Sequence, residues 1–317
     1  MNRFEYINPK NLKEASRLLD ENRDNAMLFS GGTDALEFLK NEAVKADKLI
    51  NLKAVPGLNS IEYRPGYGLS IGACALVADI AGHPAIAEKY NILAEAAEAV
   101  ASPQLRNMGT VGGNICQRPR CWYFRGDYNC LRKGGDLCYA VDGENRLHCI
   151  IGGGPCYIVH PSDIAVALTA LDARLTIYSR GKSRDIPIGE FFVLPEEDDS
   201  HENILKPGEI ITRIYVPDIS PDTRSGYLKF RERAVWDFAV ASVGLVQHGD
   251  GRVSAAFGGV APVPWTDFEL NEALSNKSTR YDTIQNAFRD AEPMEKNAYK
   301  VALVRTLLQR QLSRLTE

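Results

Sequence analysis

Apolar residues recur at helical spacing over residues 11 to 20, where Leu12, Ala15, Leu18 and Leu19 share one face. The run Ala26-Met-Leu-Phe-Ser30 is short and uniformly apolar enough for a buried strand. It leads into Gly31-Gly32-Thr33-Asp34, after which Ala35, Leu36, Phe38 and Leu39 suit a helix. Strand, glycine turn and helix follow in that order. Further strands are predicted over Lys48 to Leu52 and Gly68 to Ala75. Helices are predicted over Pro84 to Tyr90, where proline suits the first helical position, and over Ile92 to Ala101. The first hundred residues therefore alternate helix and strand.

Farther on, His160-Pro161-Ser162-Asp163 precedes the apolar Ile164, Ala165, Ala167, Leu168 and Leu171, a helix start that Ser162 or Asp163 can cap. Glu196-Glu197-Asp198-Asp199 reads as an acidic loop. Pro217 to Gly226 has the proline, serine and glycine content of a linker, and the domain boundary is placed there. Strands follow at Gly226 to Arg233 and Ala239 to His248, then a hairpin turn, His248-Gly-Asp-Gly251, and a return strand over Arg252 to Gly258. From residue 266 onward the pattern is helical, ending with Tyr299, Val301, Val304, Leu307, Leu308, Leu312 and Leu315. The C-terminal part is thus a sheet with helices on it.

A chain of 317 residues exceeds what one core usually serves, so two or three domains are expected. The net charge of -4, from 37 basic and 41 acidic residues, gives no general attraction to nucleic acid or anionic membrane. No stretch approaches the roughly 18 to 20 apolar residues of a membrane span. The N-terminus has no apolar signal core, so the protein is expected to be made in the cytosol. It would reach the periplasm only already folded, carried by a partner that holds the signal.

Two glycine segments carry candidate chemistry. Gly31-Gly32-Thr33-Asp34 would expose backbone N–H groups at a helix N-terminus, which attracts phosphate, although a Gly-Gly turn alone is a weak signal. The second is Asn107-Met-Gly109-Thr110-Val-Gly112-Gly113-Asn114. Two such loops in one alternating domain suggest a dinucleotide pyrophosphate held from both sides, against the plain alternative of two structural turns. There is neither a G-x-G-x-x-G nor a Walker sequence.

Six of the seven cysteines, Cys116, Cys121, Cys130, Cys138, Cys149 and Cys156, fall within 41 residues. The cytosolic context disfavours disulfides. Zinc prefers close cysteine pairs, and only Cys116 with Cys121 reaches the loose end of that range. Cys74, alone in Ile71-Gly-Ala-Cys-Ala-Leu, reads as a buried thiol. An iron-sulfur cluster remains, held by four of the six, with Arg118, Arg120, Arg125, Arg132 and Lys133 available to offset its charge. Composition does not choose the four. No nucleophile-base pair or carboxylate dyad stands out, and the five histidines read as surface or structural residues, so a cofactor would carry the chemistry.

The chain resembles the FAD-binding subunits of the xanthine dehydrogenase family of molybdenum hydroxylases. The resemblance rests on Phe29-Ser-Gly-Gly-Thr-Asp34, Gln104-Leu-Arg-Asn-Met-Gly-Thr-Val-Gly-Gly-Asn-Ile115, His160-Pro-Ser-Asp-Ile-Ala-Val-Ala-Leu168, and Lys229-Phe-Arg-Glu-Arg-Ala followed by Phe238-Ala-Val-Ala-Ser-Val243. Most members run from the second glycine loop almost directly into the Pro-Ser-Asp segment, whereas this chain interposes roughly forty cysteine-rich residues. That insertion is similar to the one carrying a 4Fe-4S cluster in the flavin subunits of periplasmic aldehyde oxidoreductases and 4-hydroxybenzoyl-CoA reductases. The resemblance implies Cys121, Cys130, Cys138 and Cys156 as ligands and leaves Cys116 and Cys149 as bystanders, with Cys149 the competitor for the fourth position. It puts FAD on Leu28, Phe29, Ser30, Gly31, Gly32, Thr33, Asp34 and Ala35, and on Thr110, Val111, Gly112, Gly113 and Asn114. Asp163 would lie near the second loop, and Ile211 and Lys229 near the adenine and the flavin ring.

The implied fold is α+β: a two-lobed FAD-binding domain of the vanillyl-alcohol-oxidase (PCMH) type over 1–220, with the iron-sulfur loop inserted at about 116–157. A smaller α+β domain of the carbon monoxide dehydrogenase flavoprotein C-terminal type follows over 221–317. The implied function is that of the FAD and 4Fe-4S subunit of a heterotrimeric hydroxylase, of the aldehyde oxidoreductase or xanthine dehydrogenase kind. A large molybdopterin subunit would transform the substrate, and a small subunit with two 2Fe-2S clusters would pass electrons to this FAD. An external acceptor or donor such as ferredoxin completes the chain. The alternatives are the corresponding subunit of a 4-hydroxybenzoyl-CoA reductase type of enzyme, a self-sufficient flavin oxidase, and a non-catalytic zinc-stabilised α/β module.

Overall fold

A computed structural model describes residues 2–22 and 25–316. Its described strands form three sheets. The first is parallel, with β1 (Glu5–Ile7) and β2 (Ala26–Phe29) on either side of β3 (Lys48–Asn51). The second is antiparallel and takes the order β4-β5-β8-β6-β7, from β4 (Ile61–Arg64), β5 (Gly68–Gly72), β6 (Arg174–Ser179), β7 (Lys182–Pro187) and β8 (Ile210–Pro217). The third sets β10 (Ala241–Gln247) between β9 (Arg224–Phe230) and β11 (Val253–Gly258). The fold is α+β, with a parallel lobe, an antiparallel lobe and a C-terminal sheet carrying helices. No helix among the described residues is long and apolar enough to cross a membrane.

The helix Leu12–Glu21 starts where Asn11 accepts a hydrogen bond from the Glu14 N–H at 2.9 Å. Its apolar face is the one the spacing predicts: Ala15 is fully buried, with Leu12, Leu18 and Leu19 packed against Ile50, Leu52, Val55 and Leu58. The helix Asp163–Ala170 is buried along its whole length, as a segment apolar on every side must be. Ser162 caps it by accepting from the Ala165 N–H at 2.9 Å. It packs against the helix Asn91–Glu98 on one side and β10 and β11 on the other. A side chain at Gly258 would begin 2.8 Å from Val166 Cγ2, so glycine there lets helix and sheet close together.

Elsewhere tertiary contact overrides the local pattern. The strand predicted over Gly68 to Ala75 stops at Gly72, because a Cβ there would lie 2.3 Å from the Leu58 carbonyl oxygen and the chain turns away, with Ala75 N–H bonding back to Gly72 O. The helix predicted to Ala101 stops at Glu98, and Ala101 takes a left-handed φ of 44°. The hairpin β6–β7 lies beyond the sequence-based expectation, and its turn is Arg180-Gly181, both at positive φ. The expected linker is tighter than its composition implies. Residues 224–226 already belong to β9, and Asp218 accepts from Tyr63 OH at 3.0 Å and Gly66 N–H at 2.6 Å.

Lys300, at the start of the helix Tyr299–Thr316, joins the cysteine-rich segment to the C-terminal sheet. Its ammonium is fully buried and donates to Leu147 O at 2.8 Å, His148 O at 2.9 Å and Gly259 O at 2.7 Å. A buried cation is tolerated only when its donors are met, and burial still lowers this lysine to about 7. Lys300→Met strands three carbonyls and should lower unfolding free energy by roughly 3 kcal/mol in a denaturant titration. Because the unfolded lysine holds its proton up to about 10.5, wild-type stability gains with rising pH between that value and about 7. That gain should be missing from the variant.

Candidate functional site

The first glycine loop leaves β2 and enters the helix Ala35–Lys40. Leu28 and Phe29 are half-buried strand residues, and Ser30 donates to the buried Cys74 sulfur at 3.6 Å. Gly32 adopts φ 70° over the Phe29 ring. Gly31 has another reason to be glycine: a Cβ there would lie 2.3 Å from Met108 O and 2.8 Å from Gly109 Cα. The two glycine segments, 78 positions apart from Gly31 to Gly109, thus meet backbone against backbone. Among the described residues, the N–H groups of Gly31, Gly32 and Thr33 make no internal hydrogen bond. They remain available to an anion.

The second segment is pinned from below. Val77 N–H donates to Gly109 O, Val111 N–H to Ala75 O and Gly112 N–H to Ala73 O, each at 2.9 Å. Thr110 caps the short helix Val111–Ile115 by accepting from Gly113 N–H at 3.3 Å. Asn114 accepts from Ser162 Oγ at 2.5 Å, which brings the Asp163 helix to the loop. Asp163 itself is committed: it accepts from Lys229 Nζ at 2.7 Å and Tyr227 OH at 2.5 Å, and Lys229 also donates to Ala99 O at 3.1 Å. Both charged side chains are 4% exposed. Burial, followed by the neighbouring carboxylate, pushes the Tyr227 phenol well up, so it stays a donor. Ile211 is buried in β8 opposite Ile177, in the central apolar cluster. Its tie to the second loop is through backbone, Ala73 N–H to Thr212 O at 3.0 Å.

The inserted segment docks on the first loop by charge. Asp34 takes Arg120 at 2.9 Å and Arg125 at 2.8 Å, and Glu37, one helical turn on, takes both arginines at 3.0 Å. Arg125 also lies over the Phe38 ring, 4.2 Å from its centre. The Asp34 carboxylate is therefore occupied, and what Asp34 can offer a ligand is its backbone. A second buried network pairs Glu202 with Arg118 at 3.0 Å and Arg132 at 2.7 Å. These arginines were expected to neutralise a cluster. Arg118, Arg120 and Arg125 are paired with carboxylates and Lys133 turns to Gly126 O, whereas Arg132, besides pairing with Glu202, lines the cysteine cavity beside the Cys156 thiol.

That cavity is lined by Cys121, Cys130, Cys138 and Cys156 together with Tyr123, Phe124, Leu131, Arg132, Tyr139, His148 and Ile158. Cys116 and Cys149 are outside it. Burial pushes the thiols of Cys116 and Cys149 up to about 12 and that of Cys121 to about 11. Cys138 and Cys156 share a hydrogen bond that moves Cys138 down and Cys156 up. Among the described residues, no three His, Cys, Asp or Glu side chains converge as a single metal ion needs. A cubane makes a different demand, since each of its four irons takes one thiolate, and Cys138 and Cys156, hydrogen-bonded to each other here, would part to meet it. Four thiols and no carboxylate around one cavity form a donor set suited to iron-sulfur chemistry. His148, which the sequence presents only as one isolated histidine, points Nε2 at Cys121 Sγ, 3.3 Å away. Burial lowers its imidazole to about 4.

Residues 2–219 match the family described as the FAD binding domain in molybdopterin dehydrogenase. The chain is 36% identical over 288 residues, 89% of each protein, to the aldehyde oxidoreductase FAD-binding subunit PaoB of Escherichia coli (strain K12). It is 26% identical over 287 residues to the glyceraldehyde dehydrogenase medium chain of Sulfolobus acidocaldarius, covering 89% of this chain and 85% of that one. A solved structure of carbon monoxide dehydrogenase from Hydrogenophaga pseudoflava superimposes with a TM-score of 0.77 at 25% identity, over 99% of this chain and 97% of the other.

Gly31→Ala tests the contact between the loops. The added methyl must part the two backbones, and flavin retained through gel filtration, read by absorbance, should fall at least about tenfold in affinity, or ~1.4 kcal/mol. Gly82→Ala, at the end of the helix Val77–Gly82, where a Cβ meets nothing within 4 Å, should keep its flavin.

Proposed function

The chain belongs to the family of FAD-binding domains of molybdopterin dehydrogenases and is an oxidoreductase subunit, and from this we propose that it is the FAD and 4Fe-4S electron-transfer subunit of a heterotrimeric molybdopterin-dependent hydroxylase. The similarity to an aldehyde oxidoreductase subunit favours the aldehyde-oxidising branch. In this proposal a large molybdopterin subunit transforms the substrate and a small subunit with two 2Fe-2S clusters exchanges electrons with this chain. An external acceptor, of ferredoxin type or another kind, takes them up. The chain is proposed to divide into a FAD-binding domain over 1–220, interrupted by the cluster loop at about 116–157, and a C-terminal domain over 221–317. In this proposal the chain works in the cytoplasm, or in the periplasm with a partner that carries it there.

One observation carries the cluster: four cysteines spread over 36 positions, Cys121 to Cys156, line one cavity. The chemistry supplied by FAD and the cluster, when bound, is the uptake and release of electrons. The protein's share is to hold and orient them. In the proposal, the free N–H groups of Gly31, Gly32 and Thr33 and the Thr110 to Asn114 turn hold the pyrophosphate, with Leu28 to Ala35 as its first wall. Asp163, Lys229 and Ile211 lie on the flavin and adenine side. The Lys229–Asp163 pair then serves as a rigid support whose lysine, already neutralised, adds no free charge beside the ring. The pairing of Arg120 and Arg125 with Asp34 and Glu37 supports a fixed distance between cluster loop and flavin loop, which electron transfer needs.

Chain purified without oxygen should contain about four irons, one cubane, and one FAD. C121S, C130S, C138S and C156S should each lose most of the iron, while C116S and C149S keep it. About one zinc and no iron would sink the cluster assignment and leave a flavin protein whose cysteine loop is structural.

A further inference from the structure

His148 lines the cavity outside the ligand set and faces one of its sulfurs. Its Nε2 lies 3.3 Å from Cys121 Sγ, within the range of a sulfur hydrogen bond. Its other nitrogen is buried and makes no hydrogen bond of good geometry. The ring is held edge-on by Trp122, with centres 5.6 Å apart, and lies beside Tyr123 at 6.1 Å. The backbone is held more firmly still. His148 N–H donates to Asn145 O at 2.9 Å, and His148 O accepts from Lys300 Nζ at 2.9 Å and Asn297 Nδ2 at 3.1 Å. Residues far along the chain thus fix the direction in which Nε2 points.

Resting on the cluster reading above, we infer that His148 is a positioning residue that donates a hydrogen bond from Nε2 to the ligating sulfur of Cys121 and so raises the reduction potential of the cluster. A cysteine that binds metal has given up its proton, so within this pair only the imidazole can donate. In either of its charge states the ring can present N–H at Nε2. The hydrogen bond draws charge from the sulfur and stabilises the reduced cluster, which carries one more negative charge, more than the oxidised one. Hydrogen bonds to ligand sulfurs are among the quantities that set these potentials. Arg118, Arg120 and Arg125 are held by Glu202, Asp34 and Glu37, so the cavity-side donors are Arg132, which lies beside the Cys156 sulfur while paired with Glu202, and His148, which faces Cys121.

The test uses the full-length chain, purified without oxygen, with His148→Phe and His148→Gln. Phenylalanine keeps the ring and its aromatic neighbours but offers no donor; glutamine returns an N–H near the Nε2 position. Iron content, flavin content and an EPR-monitored redox titration are read together. The inference expects about four irons and wild-type flavin in all three proteins. At the wild-type midpoint, the ratio of reduced to oxidised cluster should fall about tenfold in H148F, which is ~59 mV for one electron, and recover at least in part in H148Q. In the wild type, ENDOR of the reduced cluster should show an exchangeable-proton coupling that H148F lacks. Full iron with an unchanged potential in H148F would overturn the role of His148 while leaving the cluster standing. So would iron lost from H148F but kept in H148Q without the proton coupling, which makes His148 a packing residue. Absence of iron from the wild type would instead overturn the cluster reading itself.

Discussion

The site depends on one steric constraint, the approach of two backbones with no side chain between them. Gly31 lies against Met108 and Gly109 so closely that a single methyl has no room. Everything nearby serves that approach. The parallel sheet delivers the first loop from β2, and the hydrogen bonds from Val77, Val111 and Gly112 lash the second loop to the end of β5. Lys53 reaches over to Met108 O at 3.1 Å. The result is a crease with unpaired N–H groups on one wall and a capped helical turn on the other. An anionic ligand can be held there by backbone N–H groups.

The cysteine-rich segment is a long insertion with little secondary structure of its own, so its order comes from what it grips. A buried charge network at Glu202, a half-buried one at Asp34 and Glu37, and one buried lysine do this. The arginines at Asp34 join the insertion to the first glycine loop, those at Glu202 join it to the segment after β7, and Lys300 joins it to the C-terminal sheet. Buried ion pairs gain little net stability over apolar packing, yet breaking one partner is costly, so they favour a single arrangement over many. A segment that brings four thiols to one cavity benefits from that specificity. Three anchors from three regions of the chain fix the loop without a core of its own.

The alternation of helix and strand, the glycine turn after β2, the capped helix at Asp163, the β10–β11 hairpin and the C-terminal helix were all legible along the chain. Each is set by neighbours within a few residues: apolar period, cap or turn chemistry. The strand that ends at Gly72 and the hairpin of β6 and β7 were not, because their limits are set by partners distant in sequence, Leu58 for one and β8 for the other. The cysteine cluster stood out by density, and family resemblance selected four of six, but spacing alone could not.

By itself, then, the sequence determined the residue types on which the site depends: glycines where backbone must touch, thiols in excess, and a fully apolar helix that must be covered. Only the tertiary structure decided their partners. It brought Gly31 to Gly109, committed Asp34 to arginines, joined Lys229 to Asp163, and turned His148, otherwise an isolated histidine, toward Cys121. The physical reason is range. Apolar period and turn preference act over a few residues, whereas ion pairs, backbone contacts and a shared cavity form between groups that only folding brings within a few ångströms.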